Sequence, residues 1–231
     1  MLIRRPADPA RFNGIVLVEW INVSLHFDLD GAYLLARDFL NGAPSAMVLG
    51  DNIFFGHGLP ETLAAADAQE TGGTVFGYRV ADPERYGVVD FAPDGTVGAI
   101  VEKPEKPPSS YAVTGLYYLD SRAPDFAETI RPSARGELEI VDLLEKYRAE
   151  GSLRVERMGR GFAWLDTGTH GSLLDAGNFV RTLTDRQGLQ VGSPDEIAFR
   201  EGFITREDLL KRAEIFRKND YGRYLLGIAS D

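Results

Sequence analysis

The 231-residue chain contains no cysteine, which excludes disulfides, thiolate metal sites and thiol nucleophiles. Its three histidines, His26, His57 and His170, are too scattered to spell out a zinc site. No apolar run reaches transmembrane length, so no membrane span is expected. The stretch from Met1 to Arg5 is basic, but Pro6, Asp8 and Pro9 stand where a signal peptide needs an apolar segment. A soluble, cytoplasmic protein is the expectation. Positive charge is also scarce: 25 Lys and Arg against 35 Asp and Glu leave a net charge of −10. That balance argues against a general binder of nucleic acid or of anionic membranes, whose affinity comes from basic surface. A small anionic substrate stays open, because a local basic cluster or a metal ion overrides the global sign.

What is present reads as an ordinary globular protein, long enough for one large or two small domains with a substantial core. No internal repeat or linker interrupts it. Residues 1–30 carry little periodicity beyond a strand-like run from Gly14 to Trp20. From Gly31 the pattern sharpens. Ala32 to Leu40 predicts a helix stopped by Asn41-Gly42, and Ser45 to Gly50 a short buried strand. A second helix is expected from Pro60 to about Gln69, then a strand over Thr74 to Val80. Tyr86–Phe91 and Val97–Glu102 flank the turn signal Ala92-Pro93-Asp94-Gly95 and read as a β-hairpin. Tyr111 to Leu119, rich in β-branched and aromatic residues, is a further strand. Helices over Pro124–Ile130 and Glu137–Ala149, then strands over Leu153–Met158 and Phe162–Leu165, follow. Thr169 or His170 opens a helix to about Gln187, and Ser193–Gly202 and Thr205–Lys218 are amphipathic helices. The first of these is entered through Ser193-Pro194-Asp195-Glu196, a serine cap with Pro at N1 and Glu at N3. The order implies an α/β sheet with a β-rich insertion and a helical C-terminus.

Two stretches carry the chemistry. Met47-Val48-Leu49-Gly50-Asp51-Asn52 and Phe162-Ala163-Trp164-Leu165-Asp166-Thr167-Gly168-Thr169 each run from apolar residues into an aspartate followed by small or polar residues. Ligands of open α/β sheets bind beyond the carboxyl ends of strands. Two aspartates delivered there could share one hard cation over a phosphorylated substrate. Each alone reads more readily as a cap or turn aspartate.

Further motifs occur in order: Leu49-Gly50-Asp51-Asn52-Ile53-Phe54-Phe55-Gly56-His57, Pro83-Glu84-Arg85-Tyr86-Gly87-Val88-Val89, Glu102-Lys103-Pro104, Tyr111-Ala112-Val113-Thr114-Gly115-Leu116-Tyr117 and Pro132-Ser133-Ala134-Arg135-Gly136-Glu137-Leu138-Glu139-Ile140. With the tryptophan segment, this series over residues 44–231 closely resembles the glucose-1-phosphate thymidylyltransferases, a family of sugar nucleotidyltransferases. The resemblance implies a Rossmann-like nucleotidyltransferase sheet, N-terminally incomplete, with a β-rich sugar-binding insertion and C-terminal helices, as one domain over 1–231. It implies transfer of dTMP from dTTP to glucose 1-phosphate, giving dTDP-glucose and pyrophosphate on the route to dTDP-rhamnose and related sugars. It further implies Mg²⁺ on Asp51 and Asp166, a sugar site of Tyr86, Gly87, Glu102 and Val113, and Lys103 and Arg135 on the sugar's phosphate. A homotetramer is the family's assembly.

The residues themselves leave alternatives open. Lys103 lies in Glu-Lys-Pro-Glu-Lys-Pro, which by composition reads as a solvated loop. Arg135 could neutralise Glu137 or Glu139, Tyr86 could pack as a hairpin aromatic, and Glu102 could be an exposed strand-end acid. The family's first strand is followed by a glycine-rich loop, G-G-x-G-T-R-L, and then a lysine. Residues 1–30 hold no Gly-Gly pair, no Thr-Arg-Leu and no lysine. The resemblance therefore implies an N-terminally truncated or frame-shifted product, with 1–30 atypical, unpaired strand edges and impaired hold on the triphosphate. Rival readings are a non-catalytic binder of a sugar phosphate or nucleotide sugar, a nonfunctional fragment, or a relative that uses another nucleotide.

Overall fold

The computed structural model describes residues 17–20, 37–133, 136 and 138–230. The chain divides into two compact units, Met1–Leu165 and Asp166–Asp231. Arg135, most of residues 1–30 and the expected helix start at Ala32 lie outside the described residues.

In the first unit, β1 (Leu17–Trp20) runs parallel to β2 (Ser45–Leu49), with Leu17 opposite Ala46 and Trp20 opposite Leu49. Unpaired strand edges were the expectation, and this edge of β2 is paired. A short turn leads to β3 (Asn52–Gly56), then α1 (Leu59–Asp67) and β4 (Gly73–Arg79). The hairpin pairs β5 (Gly87–Phe91) with β6 (Val97–Glu102). Its turn closes with the Gly95 amide donating to the Ala92 carbonyl at 2.8 Å and needs the φ of +85° that Gly95 supplies. The strand β7 (Tyr111–Leu119) organises the sheet, pairing antiparallel with β2, β4 and β5. β8 (Leu153–Met158) adds parallel to β4, giving a mixed sheet with β1-β2-β7-β4-β8 as its main path. β9 (Phe162–Asp166) pairs separately with β3.

Successive strand residues point to opposite faces, and both faces here are apolar. Val75, Val89, Ile100, Tyr117 and Leu119 pack with α2 (Ala123–Thr129) and α3 (Ile140–Ala149), where Leu143, Leu144 and Tyr147 are fully buried. Phe76, Leu116 and Met158 pack on the other side with Ala66, Leu59 and Leu63 of α1. The helix expected from Glu137 begins only at Ile140, because Glu139 stands extended as its N-cap.

The second unit is helical. Thr169 caps α4 (His170–Gln187) in a capping box with Ser172, and Gly188 ends it at φ +67°. Helices α5 (Pro194–Arg200), α6 (Arg206–Ile215) and α7 (Asp220–Ser230) enclose Leu209, Ala213, Leu225 and Ala229. Ser193 caps α5 as its sequence predicts, but Glu196 does not return to the cap. Its carboxylate accepts from Tyr224 and Arg200, while Asp195 accepts from Tyr221 and Arg212. Burial and the Glu196 contact push the Tyr224 hydroxyl up to about 12. Among the described residues no helix is long and apolar enough to cross a membrane.

Asp120, just past β7, ties this strand to its neighbours. It accepts from the Gly72 amide at 2.6 Å, from the Tyr147 hydroxyl at 3.0 Å and from Arg122. Burial works against its charge, yet the Arg122 guanidinium and these hydrogen bonds hold its carboxyl below the ordinary value. The stability it supplies is therefore complete above the ordinary carboxylate range and is lost as pH falls through its depressed folded value. Asp120→Ala should lose about 2–3 kcal/mol at neutral pH in denaturant titrations, and the deficit should shrink as pH falls below the ordinary carboxylate range.

Candidate functional site

The turn between β2 and β3 places Asp51 beside Asn52, and the asparagine is the junction of the region. Its Nδ2 donates to Asp51 Oδ1 at 2.8 Å. Its Oδ1 accepts from the Gly115 amide on β7 at 3.1 Å and from Trp164 Nε1 on β9 at 2.5 Å. Gly115 must be glycine for this approach: a Cβ there would stand 2.6 Å from Leu49 Cδ1 and 2.8 Å from Asn52 Cγ.

Trp164 carries the contact onward. Its ring meets Tyr86 at a centroid distance of 5.1 Å and Tyr78 at 5.9 Å, and the Tyr78 hydroxyl donates to the Phe162 carbonyl at 3.2 Å. Tyr86 directly precedes β5, where Gly87 lies opposite Glu102 in the ladder. A Cβ on Gly87 would come within 3.2 Å of Glu102 Oε2 and 3.1 Å of Val141 Cγ2, so a side chain there would press on the carboxylate.

Lys103 follows with φ +41°, a left-handed backbone on a residue with a Cβ. That conformation costs about 1–2 kcal/mol, and the following Pro104 restricts the same backbone toward the extended region. The Lys103 amide donates to the Tyr86 carbonyl at 3.0 Å, and its Nζ stands 3.6 Å from Glu102 Oε1. With the lysine side chain 49% exposed, such a pair contributes only about 0–1 kcal/mol. The ion pair does not repay the strain, and strain held by surrounding structure points to a functional constraint.

A continuous set of contacts therefore joins Asp51, Asn52, Trp164, Tyr86, Gly87, Glu102 and Lys103. Sequence reasoning passed over Asn52, Trp164 and Tyr78. Their signal was a polar side chain directly after a strand-end aspartate, and a lone tryptophan two residues before another.

Val113 and Asp166 are the other described candidates. Val113 is 8% exposed within the core of the first unit, so any part it plays in binding falls to its main chain. Asp166 ends β9 and accepts from the Gly168 amide at 3.0 Å, closing a turn ahead of the Thr169 cap. Among the described residues, no three His, Asp or Glu side chains gather into a ready-made cation cage. Mg²⁺ is commonly held by one or two carboxylates with water and substrate phosphates, and the hard oxygens of Asp51 and Asp166 are of the right type for it.

A family model described as nucleotidyl transferase matches residues 15–182. A glucose-1-phosphate thymidylyltransferase of Xanthomonas campestris pv. campestris (strain B100) is 53% identical over 237 residues, covering 99% of this chain and 80% of that protein. One from Neisseria gonorrhoeae is 49% identical over 195 residues, covering 84% of this chain and 68% of its own length. Among solved structures, a Bacillus anthracis protein assigned as a glucose-1-phosphate thymidylyltransferase, in complex with sucrose, superposes with a TM-score of 0.59 at 37% identity, covering 68% of this chain and 63% of that one. A UDP-glucose pyrophosphorylase complexed with UDP-glucose superposes at 0.61 with 21% identity, over 70% of this chain and 65% of that one, a likeness of fold alone. The mixed sheet is thus the Rossmann-like sheet of nucleotidyltransferases, and the chain belongs to the nucleotidyl transferase family.

Asn52→Ala should lower stability by about 2–4 kcal/mol in denaturant titrations, because the Gly115 amide and the Trp164 indole N–H both lose their acceptor. Asn52→Asp keeps an acceptor for both donors but replaces the Nδ2 donor to Asp51 by a second carboxylate oxygen, so it should also destabilise at pH 7 and recover as pH falls; a loss that does not change with pH would mean the junction matters only as packing.

Proposed function

From membership of the nucleotidyl transferase family, we propose that this chain transfers dTMP from dTTP to glucose 1-phosphate, releasing pyrophosphate and forming dTDP-glucose. The observation that carries the reading is the contact path from Asp51 through Asn52, Trp164 and Tyr86 to Glu102 and Lys103. It lies in a chain 53% identical to a glucose-1-phosphate thymidylyltransferase. It puts a carboxylate suited to a cation, an aromatic wall, a carboxylate suited to sugar hydroxyls and an ammonium suited to phosphate on one connected framework.

In the proposed reaction, a phosphate oxygen of glucose 1-phosphate attacks the α-phosphorus of dTTP. The bond from that phosphorus to the β-phosphate bridging oxygen breaks, and its electron pair leaves with pyrophosphate. No protein nucleophile is needed; positioning and charge neutralisation carry the rate. Glu102 accepts hydrogen bonds from sugar hydroxyls as a charged acceptor. Gly87 lets the backbone approach the ring, Tyr86 walls it, and the Val113 main chain completes the sugar side. Lys103 and Arg135 hold the phosphate, one as a point charge and the other as a fork. Asp51 and Asp166 are the proposed holders of Mg²⁺, which supplies charge neutralisation on the phosphates when bound.

The local cations and the ion let a chain of net charge −10 accept two anionic substrates. Both substrates are charged phosphates that do not cross membranes unaided, which supports a cytoplasmic site of action. A homo-oligomer, tetrameric as in the family, is the proposed assembly, and the product is proposed to feed dTDP-rhamnose and related sugars.

The test is pyrophosphate release from dTTP and glucose 1-phosphate with Mg²⁺. Turnover is expected, and Asp51→Asn and Asp166→Asn should each lower kcat by about 100-fold or more without lowering thermal stability. Calorimetric binding of glucose 1-phosphate without turnover would instead make the chain a sugar-phosphate binder, and no binding at all would sink the reading.

A further inference from the structure

We infer that Arg79 and Arg157 form an anion site that takes a phosphate group, separate from the proposed sugar-phosphate cleft. The two residues come from neighbouring parallel strands: Arg157 on β8 lies opposite Gly77 on β4, and Arg79 lies two residues further along β4, opposite Tyr111 on β7. Residues two apart along a strand share a face, so both arginines stand on one side of the sheet with Val75 and Val155. The acidic residues of the same stretch alternate to the other side, Glu156 before Arg157 on β8 and Asp90 before Phe91 on β5. One strand spacing and two residues of rise put the Cα atoms of Arg79 and Arg157 about 8 Å apart. Two exposed cations that close repel one another, and an anion between them relieves the repulsion.

Ring stacking makes the site more than two surface charges. The Arg157 guanidinium lies 3.9 Å from the ring centroid of Phe91 and 5.4 Å from that of Tyr111, and the two rings meet edge to face at 5.5 Å. Gly77 leaves room beside them: a Cβ there would come within 3.1 Å of Val155 Cγ1 and 3.7 Å of Tyr111 Cδ1. Arg85, Arg122 and Arg212 also lie over rings, but each of these is ion-paired with an aspartate. The Arg157 and Arg79 side chains have no ion pair or hydrogen bond among the described residues. A guanidinium held flat against rings keeps its in-plane N–H donors at its edge, oriented for the two-pronged grip of an oxyanion. Phosphate suits the pair better than a carboxylate, because it carries enough oxygens and charge to meet both cations. Phe91 stands four residues from Gly87, about 13 Å along β5, so the site is distinct from that of Glu102 and Lys103.

Calorimetric titration of the full chain with inorganic phosphate, without Mg²⁺, tests the site. It is run on the parent and in a Lys103→Met background, which removes the ammonium of the proposed sugar site. In both, Arg157→Met should weaken the Kd at least about tenfold and Arg79→Gln at least about threefold. Arg157→Lys keeps the charge and loses the fork, so it should still weaken binding at least about fivefold, with thermal melts confirming the fold. That variant decides the matter if Arg157→Met does not fold. Acetate should bind at least about fivefold more weakly than phosphate. Pyrophosphate binding tighter than phosphate supports a diphosphate as occupant, and equal binding supports a single phosphate group; either result keeps the site. No phosphate binding by the parent, undiminished binding in Arg157→Lys, acetate as tight as phosphate, or an Arg157 effect that vanishes when Lys103 is methionine overturns it. None of these arms measures turnover, so the failure of this site leaves the proposed nucleotidyl transfer standing.

Discussion

The Asn52 side chain, at the start of β3, holds together groups from the β2–β3 turn, β7 and β9. One amide satisfies an indole N–H, a main-chain amide and a carboxylate, and it does so where Gly115 allows the backbones to close in. Partly buried donors without acceptors cost more than the bonds themselves contribute, so the arrangement is an all-or-none one. If β7 shifts, the Gly115 amide is stranded; if β9 shifts, the indole is. The consequence for chemistry is that Asp51 is oriented by the same group that fixes the tryptophan against Tyr86. A carboxylate and an aromatic pair are thereby held through one shared amide.

The mixed sheet explains why such a junction is possible. A purely parallel sheet would keep β2 and β4 as direct neighbours of crossover helices. Here β7 runs antiparallel between them and also meets the hairpin at Val88 opposite Ala112. The register of β4 against β7 shifts between Val75 and Gly77, so β7 carries extra residues at Thr114–Leu116. Irregularities of this kind re-aim side chains and main-chain groups near functional sites. The one at Gly115 turns a ladder amide toward Asn52. Just past the C-terminal end of the same strand, Asp120 gathers Gly72, Tyr147 and Arg122, so β7 is fastened at its middle and beyond its end by polar side chains within an apolar sheet.

Much of this was legible from local pattern. The strands Val97–Glu102, Tyr111–Leu119 and Leu153–Met158 coincide with their sequence-based limits, because alternating or β-branched runs bounded by turn residues leave little choice. The Thr169 start and Gly188 stop of α4 follow from cap chemistry in the same way. β3 and α7 were not seen. β3 lies inside the Asp51 motif and owes its extended form to pairing with β9, about a hundred residues away, which no local window contains. α7 begins Asp-Tyr-Gly, and the glycine reads as a breaker. In the structure a Cβ at Gly222 would stand 2.2 Å from the Phe216 carbonyl oxygen, so glycine is what lets the helix start so close to the preceding turn. The helix is then held by Tyr221 and Tyr224 on Asp195 and Glu196, contacts invisible to periodicity. The candidate site was legible as a set of motif residues. The side chains that connect them were not, because Asn52 and Trp164 act on partners distant in sequence.

Lys103 brings the two levels together. By composition its loop is a solvated run of charges and prolines, and 49% exposure of its side chain agrees with that description. Only the sign of φ separates it from the bland case. An exposed ion pair contributes too little to hold a left-handed lysine ahead of a proline, so the conformation must be imposed by the β5–β6 ladder and the Tyr86 carbonyl. The hairpin is therefore more than an insertion that widens the sheet. Its rigid pairing of Gly87 with Glu102 stores the constraint that brings an ammonium beside a carboxylate, in a protein whose overall charge would otherwise repel an anionic sugar.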